Sequence, residues 1–523
     1  MKRKHLLLSL VLGVLVASDA SGRVYTTNGS QLEVTAALTV ASSGDTVLIS
    51  GTHTYGTGGI SLFVPAGVTL DGQGTAVLNM AASSPSGYGN ALFTLAEGAV
   101  VRRLTLNGPD ADNCIPFRSG AKDWRVSGIT YNQHAGRASY FMQVNSSLRG
   151  LIDSNVINGA HGQSEMIFSR GPADAWDVPD TMGTANNIFI EDNVFNGVGY
   201  INDANSNSRV VVRFNQINGA LKTDSHGVWS NTPARGARHS EIYHNSWTGG
   251  GSFASIELRG GGGRVFNNTS NASVGANTTH LIITEYGVFN NNGVFTNYQT
   301  AYDWPIRDQI GRGKYAVAGD WTTATSEPMY IWGNRKGGQF WPWTNSAIPG
   351  ASQTRFKEQM GDSGATFGWM SIIQPDRDYF VDVPSFDGSS GIGTGTKAQM
   401  RAITGRKVGV GFWVTDEGDW NLANGSAKDG QLYTWSGSAW VLAYTPYPYP
   451  HPMRSSEAPW TAASSAAAPS PGSTVSAVPP AASSSANSGG KKGGGGGGAP
   501  SAWFVLALGV LAATRCCVGR KAA

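Results

Sequence analysis

Cysteine is nearly missing: there are three in 523 residues, and Cys516 and Cys517 are adjacent at the extreme C-terminus. Cys114 alone falls between the terminal segments, so no intrachain disulfide can staple a folded part, and it reads as a small buried hydrophobe. Charge is sparse too, at 14% of residues. Eight of the 38 basic residues sit in the terminal segments, against only Asp19 and Glu457 of the 35 acidic ones. What remains is 30 basic against 33 acidic residues, a net charge near −3, so nothing here suggests a nucleic-acid or anionic-membrane surface. No nucleotide-binding loop, HExxH helix, GxSxG elbow or CxxC pair occurs, so nothing points to a nucleotide partner. Hydrophobic runs are short as well, and none reaches the ~20 residues of a stable membrane span.

What is present is repetition. Asn155-Val-Ile157-Asn158-Gly159 returns as Asn193-Val-Phe195-Asn196-Gly197, then as Asn215-Gln-Ile217-Asn218-Gly219 and Asn245-Ser-Trp247-Thr248-Gly249. A weaker copy stands at Asn267-Asn-Thr269, so the intervals are 38, 22, 30 and 22 residues. A minimum unit of about 22 residues carries insertions and holds short β-branched or aromatic runs, such as Asn187–Ile190, Arg209–Arg213 and Leu281–Thr284. One turn of a parallel β-helix needs this arrangement, with coils stacked at roughly 4.8 Å. Asn repeated at one place per coil forms a ladder of amides, which is architecture and not catalysis.

The ends carry a different message. Lys2, Arg3 and Lys4, the apolar Leu6–Val16 and the small residues Ala17-Ser-Asp-Ala20 read as a secretory signal over residues 1–22. Residues 455–488 are mostly Ala, Ser and Pro, a composition that buries no core and predicts a disordered linker. Residues 489–523 run from a glycine tract through the apolar stretch Trp503–Ala513 to Arg515, Arg520 and Lys521. That order resembles the GlyGly-CTERM sorting signals of Gram-negative bacteria. The resemblance implies transient anchoring in the inner membrane, removal by an intramembrane protease, and a protein released to the cell surface or outside. Cys516-Cys517 departs from that pattern and leaves lipid attachment or a plain weak anchor as alternatives.

Leu32–Leu38 has helical spacing of apolar residues and is expected to cap the open end of the solenoid. A Gly44-Asp-Thr-Val-Leu-Ile49 strand, a Gly51-Thr-His-Thr-Tyr55 turn and a Val68-Thr-Leu-Asp-Gly-Gln-Gly74 strand follow. Together with the Asn copies, this succession resembles the first coils of the pectate-lyase-like right-handed parallel β-helix superfamily, over residues 32 to 300. The resemblance implies an all-β solenoid spanning residues 23–302. Function does not follow, because that superfamily holds lyases, hydrolases, epimerases, tailspikes and adhesins.

From residue 303 to 454 the Asn pattern stops and tryptophans become dense, among them Trp332, Trp413, Trp420, Trp435 and Trp440. This region either packs on the β-helix or extends it. Its aromatics either cover the last coils or offer flat rings to sugars. The finish, Tyr444–Pro452, alternates Pro with aromatics and is expected to lie extended against a surface.

Chemistry is sought where ionisable residues recur in strands of consecutive coils. The sequence aligns Arg170, then Asp203, then Lys222, Asp224 and His226, then Glu257 and Arg259, then Glu285. If in register, Asp224 and Glu257 would stand about 5 Å apart and Asp203 and Glu257 about 10 Å, near the retaining and inverting glycosidase spacings. For β-elimination on a uronate, Arg259 or Arg170 would neutralise the carboxylate, and Lys222 or His226 would be base or proton shuttle. Calcium held by Asp203, Asp224 or Glu257 would share the neutralising role, although no compact calcium loop is present. Glu257-Leu-Arg259 has a plainer reading as a same-face salt bridge. The insert carrying Asp174, Trp176, Asp177 and Asp180 is either a groove wall that stacks on sugar or an ordinary surface loop. Polysaccharide is the expected partner, to be bound or cleaved, with a non-catalytic adhesin or matrix rod as the alternative.

Overall fold

The computed structural model describes residues 22–454 apart from several internal segments, the longest being 271–278, 284–306 and 341–372. Each coil contributes three short strands, and 28 strands join in one hydrogen-bonded network that is parallel apart from the pairing of Arg335–Lys336 with Gln339–Phe340. The fold is a right-handed parallel β-helix with three faces. The first sheet stacks Gly150–Asp153, Ile188–Glu191, Arg209–Arg213, His239–Tyr243, Gly262–Phe266 and Met329–Trp332. The second carries Val156–Asn158 and its successors, and the third stacks Met142–Asn145, Ser164–Arg170, Val194–Ala204, Gln216–Ser225 and Ala254–Leu258.

Inside, one aliphatic and aromatic column runs the length of the stack, with Ile152, Ile190, Val212, Ile242, Val265 and Ile331 as its first-sheet members. Cys114 lies in that core as expected. The capping helix forms over Gln31–Val40, capped by the Ser30 hydroxyl, and sends Val34 and Leu38 into the first coil. The expected turn at Gly51–Tyr55 is in fact a strand, Thr52–Tyr55, paired with Val77–Met80.

The Asn repeat makes two ladders. Asn155, Asn193, Asn215, Asn245, Asn268 and Asn334 are buried, and each Oδ1 after the first accepts both the backbone N–H and the Nδ2 of the Asn one coil earlier, at 2.9–3.1 Å. The second Asn of the motif builds an outer ladder through Asn79, Asn107, Asn132, Asn158, Asn196 and Asn218, at 2.8–2.9 Å. The copy at 267 is therefore displaced by one residue: Asn268 takes the ladder place, and Asn267 takes the left-handed bend that Ser154, Asp192, Phe214 and His244 occupy in earlier coils.

The helix does not stop at 302. Coils continue through Met329–Trp332 to Tyr379–Val381, so the later region first extends the solenoid. It then folds back as a four-stranded sheet, Ile392–Gly395, Gly411–Val414, Gln431–Trp435 and Trp440–Tyr444. That sheet packs on the outside of the first sheet, where Phe266 and Trp332 lie under Trp413 at 5.2 and 4.9 Å. Trp332, Trp413 and Trp420 are thus covering residues with no face left for a sugar, while Trp304, Trp341, Trp343 and Trp369 fall outside the described residues.

The finish does lie against a surface. Tyr447 and Pro448 accept from the buried Arg213, His451 N–H donates to Glu191, and Arg454 pairs with Asp192 and Glu191. The expected signal at 1–22 and the expected linker and tail at 455–523 lie outside the described residues, but for Gly22. Among the described residues no helix is long and apolar enough to cross a membrane.

Candidate functional site

The third sheet differs from the other two in what it turns outward. In Gln216–Ser225, Leu221 points into the core, so Lys222 and Asp224 alternate to the outside, with His226 just beyond the strand. Pairing fixes the neighbours: Asp203 stands opposite Asp224, and Asp224 opposite Glu257, on three successive coils. The register anticipated for these carboxylates is the one found. A second outward column places Glu165 beside Tyr200 and Tyr200 beside Lys222. Both coils that carry Glu165 and Asp203 fit one extra residue, Met166 or Ile201, which turns into the core.

These charges are set deep, and they are wired across coils. Arg259 grips Asp224 with two N–H groups, Nε at 2.8 Å. Glu257 takes Lys222 instead. The same-strand Glu257–Arg259 bridge is therefore not what forms: each reaches the preceding coil. Asp224, Glu257 and Arg259 are at most 4% exposed, so this is no solvated stripe. Lys222 keeps more surface and lies 4.3 Å from the Tyr200 ring centre.

Burial pushes Asp224 upward, Arg259 opposes it, and the neighbouring Glu257 and Asp203 charges add to the rise. Lys222 moves upward against its own burial because Asp224 and Glu257 hold its charge, so it is an ammonium at neutral pH and a poor base. His226 goes the other way, pushed down to about 4 by burial and by Arg259. Its Nδ1 lies 2.8 Å from the Gly227 carbonyl, which can only accept, so Nδ1 carries the proton and Nε2 the lone pair.

Two groups that sequence reasoning passed over complete the face. Glu165 is partly exposed, is hydrogen-bonded to Tyr140, and is pushed up to about 8 by burial and by the Asp203 charge. Tyr140 is itself pushed upward by burial and by Glu165. Asp203 receives only a 3.4 Å contact from Asn205, and its Oδ1 has no partner among the described residues. Glu165 is the second residue of its strand, one place before the run Met166–Arg170 that looks strand-like in the sequence, and only the periodicity Glu165, Phe168, Arg170 would have exposed it.

The remaining expected site residues divide. Arg170 lies at the end of the Glu165 strand with its guanidinium 5.0 Å from the Phe168 ring centre. Glu285 lies outside the described residues. Trp176 is corrected: it is fully buried, stacked on Tyr315 at 5.9 Å with Arg235 and Arg238 over it, and has no face to offer a sugar. Its insert is anchored through Ala175 and Trp176, while Ala173, Asp174 and Pro179 stay exposed. As for calcium, no three His, Cys, Asp or Glu side chains converge on a metal position among the described residues, and Asp224 and Glu257 commit oxygens to cations.

The geometry defines a parallel β-helix with a charged, deeply set face on one sheet. No protein-family model matches the chain, and no curated protein matches it. Among solved structures it is similar to an alginate lyase from Paenibacillus sp. str. FPU-7, at 13% identity over 50% of this chain and 99% of that one, TM-score 0.30. It is also similar to Escherichia coli ybhc, at 12% over 65% and 88%, TM-score 0.32. A third is the A-module of the Azotobacter vinelandii mannuronan C-5 epimerase AlgE6, at 13% over 50% and 98%, TM-score 0.23.

Proposed function

We propose that the chain is an exported, surface-associated protein that binds a polysaccharide along the third sheet and cleaves it. The observation that carries this reading is the column Asp203, Asp224, Glu257 on three successive coils, bordered by Glu165, Tyr200 and Lys222. Acids, a phenol and cations repeating every ~4.8 Å match the scale of a sugar chain, and such clustering of shifted titratable groups marks catalytic faces more often than inert ones. Export is supported by the signal-like pattern of residues 1–22, and release or anchoring at the surface by the glycine-rich tail's resemblance to sorting signals.

The test is product analysis. The protein is incubated with plant, algal and bacterial polysaccharides, and soluble products are weighed by mass spectrometry. Products one water lighter than hydrolysis products mean β-elimination, and hydrated ones mean hydrolysis; either supports cleavage. A second reading, a non-catalytic adhesin or rod, is favoured by the ion pairs that tie Lys222 to Glu257 and Arg259 to Asp224. Absence of products from every polysaccharide would establish that reading in place of the first.

A further inference from the structure

Resting on the cleavage reading above, we infer that the site works by hydrolysis, with Glu165 protonating the glycosidic oxygen and Asp203 activating the attacking water. The four carboxylates of the face are not equivalent. Asp224 is held by both arms of Arg259, and Glu257 by Lys222, so neither is placed to exchange protons without breaking an ion pair. Glu165 and Asp203 have no cation partner among the described residues. Glu165 is the outermost of the four, and Tyr140 fixes its carboxyl from the side. Asp203 is nine-tenths buried yet leaves Oδ1 without a partner, an acceptor aimed at something the protein itself does not supply. A water or substrate hydroxyl fits that place.

Spacing agrees. Glu165 stands beside Tyr200, and Asp203 is the next outward residue on Tyr200's strand, so the pair is one coil and one outward step apart. That is on the order of 8 Å, inside the roughly 6.5–9.5 Å that leaves room for a water in an inverting glycosidase. Burial and the neighbouring Asp203 push Glu165 up to about 8, so it holds near neutral pH the proton that a general acid must give.

The step balances with solvent water as co-reactant. Glu165 gives its proton to the glycosidic oxygen while the bond to the anomeric carbon breaks and its electron pair goes to that oxygen. Water attacks the same carbon from the opposite face and loses a proton to Asp203 Oδ1. Proton exchange with solvent then resets the pair. Lys222 and Arg259 position the acids around them and take no proton.

Once the panel identifies a cleaved polysaccharide, the full chain and its Glu165→Gln and Asp203→Asn variants are compared on it. Expected are hydrated products of inverted anomeric configuration in the first minutes by NMR, and rate losses of about 100-fold or more in each variant. Thermal transitions and co-sedimentation with the polysaccharide should be kept. Glu165→Gln should also remove the alkaline limb of the rate profile. Products one water lighter, or retained configuration, would overturn this inference and leave cleavage standing. So would a Glu165→Gln rate within tenfold of the unsubstituted chain. The anomeric readout needs no variant and decides the matter even if one fails to fold. Absence of any product overturns cleavage and this inference together.

Discussion

Arg259 reaches back one coil to hold Asp224, while Glu257, two residues before it, holds Lys222. The two bridges run along parallel diagonals, each offset by two residues, and bind neighbouring coils together. A buried pair of this kind contributes little over an apolar filling, but removing one partner leaves a stranded charge.

Lys222→Met should therefore destabilise the chain by about 3–5 kcal/mol, because the buried Glu257 loses its ammonium partner. Lys222→Met/Glu257→Gln should recover most of that loss. Denaturant midpoints of the two single variants and the double variant give the coupling energy, expected to exceed about 1 kcal/mol. Additive midpoints would show the bridge to be incidental.

The inner and outer Asn ladders should respond very differently. Asn215→Ala leaves the Asn193 backbone N–H without its acceptor and takes one donor each from the Ile190 carbonyl and the Asn245 oxygen in a dry turn, and should lower stability by about 2–4 kcal/mol. Asn218→Ala, on the wetter ladder, should lower it by about 0.5–1 kcal/mol. Equal effects in thermal melts would mean that the burial difference is not what matters.

Much of this was readable beforehand, and the exceptions have physical causes. Asn at fixed intervals announces coils because an amide both donates and accepts, and only stacking uses both. Register on the third sheet followed from Lys222, Asp224, Glu257 and Arg259, since alternation with Leu221 and Ile256 leaves them one face. Glu165 was missed because Met166 and Ile201 break the alternation of two just where the pattern is read. Trp176 misled because a tryptophan in an acidic insert looks exposed, whereas Arg235, Arg238 and Tyr315, distant in sequence, close over it. No local pattern contains that partnership.

Trp176→Ala should accordingly behave as a core deletion, with a loss of about 3–5 kcal/mol. Polysaccharide co-sedimentation below the melting temperature should be unchanged. A variant of full stability that no longer binds would restore the groove-wall reading.

Acid should weaken the fold through three histidines. Burial pushes His226 and His244 down to about 4 and His451 down to about 3, from an ordinary value of 6.5. Their folded values are depressed, so the unfolded chain binds more protons between pH 6.5 and those values. Their stabilising contribution is complete above about pH 6.5 and is lost as pH falls through 4, by up to about 1.4 kcal/mol per pH unit for each. Melting temperatures from pH 7.5 to 4 should decline over that range, and His226→Gln should make the decline shallower. A flat profile would contradict the buried neutral assignment.

The Tyr447–Arg454 segment also sets where the molecule would bear a mechanical load. Arg454 is clamped to Asp192, Glu191 and, at 3.5 Å, Asp153, and the carbonyls of Tyr447 and Pro448 rest on Arg213. Tension entering from the C-terminal side thus meets charged bonds spread over three coils, arranged to yield together and not one by one. The solenoid behind them, paired coil to coil along its length, would feel that pull only after the clasp has given way.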